Sequence, residues 1–321
     1  MNIFGGVTLD PKESKVPVIE LPLKKKEKYA EVCFMSDFHV GSSAFSLGQY
    51  LEYLYFLKKN PDVKVALLGD LVEMGGLSAF GASEEKVGAL QLLDIVKLLE
   101  PIKEQIILLL EGNHEERFWR ATKGTDSITK SIADALSIKP LLPGPERGQL
   151  FILKVKDQVY SVYAIHGAGN SVRTKNKQLS SIFENVHTSL AVHAHIHQIF
   201  KDHRTYMSVN EKNGEFYSSI HEQHWLTTGC FCKNLGYSEA KSYPFTKIGA
   251  PMVRFYGNKE ALEIIDDPRI TYDIGVKSVS LESVGLKESD LAKYEEKANF
   301  GGTEVYSKKR WKEEDLCNLT K

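Results

Sequence analysis

EVCFMSDFHV (31–40), VKVALLGDLVE (63–73) and QIILLLEGNHEE (105–116) are three apolar runs, and each ends on groups able to hold a proton or a cation. The first stops at Ser36-Asp37-Phe38-His39, the second at Gly69-Asp70, the third at Gly112-Asn113-His114. Short, continuous apolar runs of this kind read as strands buried on both faces. Between the first two, Leu47 to Leu57 carries apolar residues at helical spacing, and Asn60-Pro61 stops it. Between the second and third, Glu84 to Leu99 does the same, with Pro101 beyond. Strand, helix, strand, helix, strand is the order that builds a parallel sheet with helices on its face. In such sheets functional groups collect outside the carboxyl ends of the strands, where the Asp, His and Asn residues stand.

Outward from this unit the texture changes. Ile128 to Leu136 reads as another helix, and Phe151 to Val155 with Val159 to Ile165 reads as a hairpin turning at Lys156-Asp157. Leu190 to Val192, Trp225 to Thr228, Met252 to Tyr256 and Leu262 to Ile265 are further strand candidates. A strand-rich second half implies a second sheet packed on the first, giving an α/β architecture layered as an α/β/β/α sandwich over residues 29–271. Residues 1–28 carry Pro11, Pro17 and Pro22, then Lys24, Lys25 and Lys26, and read as an extended N-terminal arm. Residues 272–321 are polar and charged and read as a C-terminal appendage.

The 321 residues are 42% hydrophobic and 26% charged, enough apolar material for a sizeable core. Lys plus Arg total 41 against 42 for Asp plus Glu, so any anion must be attracted by a local patch rather than by net charge. Cys33, Cys230, Cys232 and Cys317 have neither disulfide-framework nor zinc-finger spacing, as expected of reduced thiols in a cytoplasmic protein. No segment is apolar and long enough for a signal peptide or a membrane span, so no membrane partner is expected.

Five segments carry chemistry: Asp37-Phe38-His39, Gly69-Asp70, Gly112-Asn113-His114-Glu115, His166-Gly167 and His195-Ile196-His197. Singly each is ordinary; Asn113, for instance, could simply cap a helix. Together they offer the oxygen and imidazole donors that a two-metal hydrolase needs. Residues i and i+2 of an extended chain point the same way, so Asp37 with His39, and His195 with His197, are each expected to face one ion.

The series DFH, GDLVE, GNHEE, IHG and AHIH resembles the calcineurin-like metallophosphoesterase superfamily over about Phe34 to Phe200. The resemblance implies a four-layer sandwich and a binuclear centre of two divalent or trivalent ions, manganese foremost, with iron, zinc, nickel, cobalt or magnesium as alternatives. By position it gives Asp37, His39 and His197 to one ion and Asn113, His166 and His195 to the other, with Asp70 bridging. Water activated by the two ions would be the nucleophile, and His114 the proton donor to the leaving group. Ala194 stands where the family has Gly, and Glu73 where many members have Asp. His193 would allow the ligand pair to be placed two residues earlier; His195 and His197 are preferred because a small residue leads that pair.

Within the same superfamily a Ser/Thr protein phosphatase would need phosphate-binding Arg residues where this chain has Met74 and Glu111. From another class, a noncatalytic metal-binding scaffold would be expected to lack ligands. Arg117 could reach a phosphate. After His166 the chain carries Arg173, Lys175 and Lys177 with no acid before Glu184, and these cations are expected to grip phosphates beyond the scissile one. That favours a phosphodiester, a nucleotide or nucleic acid over a simple monoester. Oligomeric state is not legible from these residues.

Overall fold

A computed structural model of the chain describes residues 15–74, 88–121, 127–142, 148–167, 184–233, 247–272 and 279–287. In chain order the main elements are β1 (Val18–Glu20), β2 (Tyr29–Met35), α1 (Leu47–Lys59), β3 (Lys64–Leu68), α2 (Gly88–Leu99), β4 (Ile106–Leu110), α3 (Asn113–Ala121) and α4 (Ile128–Leu136). They continue with β5 (Gly148–Val155), β6 (Gln158–Ile165), β7 (Leu190–His193), β8 (Phe200–Lys212), β9 (Glu215–Thr227), β10 (Met252–Tyr256) and β11 (Leu262–Ile265).

The three apolar runs are the parallel strands β2, β3 and β4 at the heart of a five-stranded sheet, ordered β11-β10-β2-β3-β4. A second sheet runs β1-β5-β6-β7-β9-β8, and its strands β6, β7 and β9 are parallel to one another. Alternation along each strand divides the core. Val32 and Phe34 of β2, Ala66 and Leu68 of β3, and Leu108 and Leu110 of β4 join Phe151, Leu153, Val162, Val192 and Leu226 in a core between the sheets. The opposite faces, with Cys33, Met35, Val65, Leu67 and Leu109, pack on the apolar sides of α1, α2 and α4. Helices, five-stranded sheet and six-stranded sheet are thus the three layers seen among the described residues.

Two arrangements differ from the sequence reading. Trp225 to Thr228 is the end of a much longer strand: β8 and β9 pair residue for residue from Phe200↔Thr227 to Lys212↔Glu215. Period-2 burial is confined to the middle of the ribbon, at Arg204, Tyr206 and Ser208 against Ser219, His221 and Gln223, all polar or half-polar side chains, and its turn end is exposed. The available signal was Asn213-Gly214, both at positive φ, the pair that closes a tight hairpin turn. At the ends of the chain, Val18–Glu20 pairs with β5 as an edge strand inside the stretch read as an arm. Val279, Leu281, Val284 and Leu286, inside the stretch read as an appendage, are buried in the helix-side core. Ser280, Glu282, Ser283 and Gly285 between them dilute the apolar pattern, which hid their burial.

That last contact predicts that Leu281→Ala destabilises the fold by about 2–5 kcal/mol, as large-to-small core changes do. Urea unfolding followed by circular dichroism measures it, and an unchanged midpoint would place residues 279–287 outside the cooperative unit.

Candidate metal centre

The parallel strands of both sheets end on one rim. Asp37 and His39 follow β2, Asp70 follows β3, and Asn113 opens α3 just beyond β4. His166 follows β6, while His195 and His197 follow β7. Backbone bonds zip the loops together: Asp37 N to Gly69 O at 3.0 Å, His39 N to Asp70 O at 3.0 Å, and His195 N to the Asp37 carboxylate at 3.1 Å.

The local conformation is not the extended chain expected. Asp37, His39, Asp70, His195 and His197 all have positive φ, between 50° and 68°. Side chains two apart converge here because single left-handed residues turn the backbone, not because a strand alternates. Non-glycine residues held there cost about 1–3 kcal/mol each. Phe38 explains the first pair. Its ring is fully buried, 5.2 Å from Tyr50 and 5.0 Å from Phe231, both edge-on, so the loop is pinned inward between two residues that face the rim.

Glu115 closes the loops from below, a role the sequence reading did not assign. Its buried carboxylate accepts backbone N–H groups from Asp70 (2.9 Å), Leu71 (2.7 Å), Val72 (3.2 Å) and Gly112 (2.8 Å). The bond to Gly112 is the Glu half of a capping box, and Glu three residues after the cap was the available signal. Close approach explains the glycines. A Cβ on Gly69 would sit 2.4 Å from Gly112 N, and one on Gly112 would sit 2.1 Å from Asp70 Oδ1.

The histidines are aimed. His166 Nδ1 donates to the Leu68 carbonyl at 2.6 Å, leaving Nε2 at 3.2 Å from both Asp70 Oδ2 and Asn113 Oδ1. His39 Nδ1 lies 2.9 Å from the Glu73 carboxylate. Its Nε2 is buried without a hydrogen bond, 3.9 Å from Asp37 Oδ1 and 3.8 Å from Asp70 Oδ2. Tying Nδ1 to an oxygen so that Nε2 faces a cation is how ligating imidazoles are held. Donor atoms 3–4 Å apart fit around one ion with bonds of about 2.0–2.2 Å. The donor set therefore suits metal: Asp37, Asp70, His166 and His195 form one cluster and Asp37, His39 and His197 another, each within 4.8 Å. Asp37 belongs to both clusters, as well as standing 3.0 Å from His197.

His114 lies beside them. Its Nδ1 faces the Glu73 carbonyl, to which it donates, and Nε2 is 3.9 Å from Asp70 Oδ2. With His39 and Asp70 it makes a third possible cluster. Arg117 is exposed, its guanidinium 3.4 Å from His114 Nδ1. His193 is buried with its Nδ1 on the Ala194 carbonyl and falls in none of the three clusters. Arg173, Lys175 and Lys177 lie outside the described residues.

The electrostatics are those of crowded opposite charges. Burial alone would raise the carboxyls, yet His197 holds Asp37 well below the usual range, and His166 and His114 do the same for Asp70. Burial alone would lower His166, but Asp70 lifts it to about 9. Burial lowers His114, with Asp70 pulling the other way. Burial and the neighbouring Asp70 charge push Glu115 up to about 7.

No family model and no curated protein matches the chain. Solved structures do. Vacuolar protein sorting 29 from Cryptosporidium parvum is 12% identical, with 74% of this chain and 91% of that one covered and a TM-score of 0.36. A metallophosphoesterase from Sphaerobacter thermophilus is 12% identical over 81% of this chain and 96% of its own, with a TM-score of 0.33. The calcineurin-like phosphoesterase YfkN from Bacillus subtilis is 9% identical over 60% and 90%, with a TM-score of 0.29.

A metal ligand must be a neutral imidazole, whereas metal-free His166 keeps its proton up to about 9. Metal uptake at pH 7.5 is therefore expected to release protons, seen as a binding enthalpy that changes with the ionisation heat of the buffer. In the metal-free chain the raised His166 contributes stability fully present below pH 6.5 and lost as pH rises through about 9. Thermal midpoints of stripped protein should fall across that window, and less so in His166→Asn.

Proposed function

We propose that the chain is a metal-dependent phosphoesterase of the calcineurin-like type, hydrolysing a phosphodiester or nucleotide. The observation that carries this reading is the His39 ring: its Nδ1 is tied to Glu73 and its Nε2 is left bare between two buried carboxylates. A buried nitrogen so placed fits a cation and little else. The motif order and the convergence of seven donors on one rim support the same conclusion. The family's outer helical layer would lie on the far face of the six-stranded sheet, where Ala191 and Ile196 are buried with Trp225 packed against them.

In this reading Asp37, His39 and His197 hold one ion, Asn113, His166 and His195 the other, and Asp70 both. Two ions, manganese foremost, would supply Lewis acidity and water of lowered pKa. The remaining work belongs to side chains. Glu73 and Leu68 O fix the His39 and His166 rings, so little reorganisation is left for the reaction. Glu115 fixes the loops that carry Asp70 and Asn113. His114, with Nδ1 committed to the Glu73 carbonyl, presents Nε2 to the site, and as the doubly protonated imidazolium it would be the proton donor to the departing oxygen. Arg117 at its edge suits a substrate phosphate oxygen. Met74 in place of an arginine weighs against a protein phosphatase, and the three cations after His166 weigh toward a polyanionic substrate. A cytoplasmic location accords with the buried thiols Cys33, Cys230 and Cys232. No helix among the described residues is long and apolar enough to cross a membrane.

Asp70→Asn replaces the anion that serves both ions in this reading and is expected to lower bound metal at both positions, read by elemental analysis, and to abolish hydrolysis. Full metal and full rate would remove the assignment. His114→Ala is expected to keep its metal and lose about 10²–10⁴-fold in rate on substrates with poor leaving groups, and far less on nitrophenyl esters. Equal losses on both, with metal lost as well, would make His114 a ligand with His39 and Asp70 instead. Metal-replete protein that hydrolyses no phosphodiester, nucleotide or phosphopeptide would favour the scaffold reading.

A further inference from the structure

The β8–β9 ribbon is unusual in what it leaves bare. β8 is the last strand of its sheet, and its 13 residues contain no Pro. It pairs with β9 without a break in register, so no bulge twists its free edge away. Proteins ordinarily blunt such edges, because a straight row of unpaired amides and carbonyls invites another strand. One face of the ribbon also carries exposed apolar side chains. Met207 and Ile220 stand directly opposite one another at 71% and 76% exposure, with Val209 at 70% and Phe216 at 75% beside them.

The turn fixes which groups the edge presents. Lys212↔Glu215 closes a two-residue turn at Asn213-Gly214 and is therefore a hydrogen-bonded pair. Alternation then sends the amides and carbonyls of His203, Thr205, Met207, Val209 and Glu211 outward. The His203 N–H agrees, since it is taken by the Asp202 carboxylate at 2.8 Å and not by β9.

We propose that this edge joins a second copy of the chain, β8 against β8 in antiparallel register about a two-fold axis at Met207. The strand's own charges select the occupant. With Met207 facing its mate, Thr205 meets Val209, His203 meets Glu211, and Asp202 meets Lys212, each twice by symmetry. Shifting the strands by one hydrogen-bonding step in the direction that centres Ser208 would set Arg204 against Lys212, a repulsive pair. The outward backbone groups coincide in the Met207 register, and the exposed Met207, Val209, Phe216 and Ile220 of both copies come to lie on one face of the joined sheet. An isologous contact of this kind is self-limiting and closes at two chains.

The test uses the full chain at tens of micromolar. Light scattering should return twice the 36.1 kDa chain mass. Val209→Pro removes an outward N–H that β9 does not use, so the hairpin should fold, as circular dichroism will report, while the dissociation constant rises at least ~100-fold. Asp202→Lys and Lys212→Asp should each weaken self-association roughly tenfold by placing like charges opposite, and a mixture of the two should recover full affinity as a heterodimer. Met207→Cys should cross-link to itself on mild oxidation, since opposed residues of a hydrogen-bonded pair lie about 5.5 Å apart at Cα. Val209→Cys, which faces Thr205, should not. A wild-type monomer, a dimer indifferent to Val209→Pro, Asp202→Lys and Lys212→Asp, or cross-linking of position 209 as readily as 207 would overturn the proposal. If Val209→Pro fails to fold, the heterodimer and cross-linking results decide.

Discussion

The buried Glu115 carboxylate is the interaction on which the rim depends. It gathers amides from the turn after β3 and from the start of α3, and so sets the distance between Asp70 and Asn113. Its burial beside Asp70 is costly, as the upward push on its own proton affinity shows. A burden of this kind is tolerated because the alternative is worse: four backbone donors buried without acceptors. Gly69 and Gly112 follow from the same demand, since the two turns must touch backbone to backbone for one carboxylate to reach both. Phe38 does for the β2 loop by packing what Glu115 does for the others by hydrogen bonding.

From these anchors the chemistry is derivable. Loops held from below can carry residues in left-handed conformations that a free loop would abandon. Left-handed residues turn side chains toward a common point. The common point collects like charges, which only histidine neighbours or cations make bearable. Packing, backbone geometry and titration are thus three views of one arrangement, and each restricts the others. The order of causes runs from the apolar strands outward, since rigid parallel strands are what give the loops a fixed origin.

Much of this was legible in the residues. The parallel unit, the α1 and α4 helices, the β5–β6 hairpin and the order of the candidate donors could all be read, because apolar periodicity and polar strand ends are local signals. Backbone conformation at Asp37 and His39 could not, since nothing in Asp-x-His distinguishes an alternating strand from two left-handed turns; that depends on Phe38 finding Tyr50 and Phe231 in the core. Glu115 was hidden by its company, one acid in Glu115-Glu116, where only the tertiary fold tells the buried carboxylate from the half-buried one. The β8–β9 ribbon escaped because a sequence is searched for burial, and this hairpin is held by a turn and a ladder rather than by a core.

The candidate donors are divided between layers. Asp37, His39, Asp70 and Asn113 hang from the five-stranded sheet, and His166, His195 and His197 from the six-stranded one. An ion gripped by both sets is a rivet through the sandwich, joining positions as far apart in the chain as 37 and 197. It removes chain entropy from the unfolded ensemble as any cross-link does, and it stabilises in proportion to the logarithm of its concentration over its dissociation constant. Resistance to heat and to proteolysis then becomes a gauge of metal supply. If the proposed activity holds, a cell short of the ion would hold not merely a slower catalyst but a looser protein, cleared sooner, so that abundance as well as activity would follow the metal.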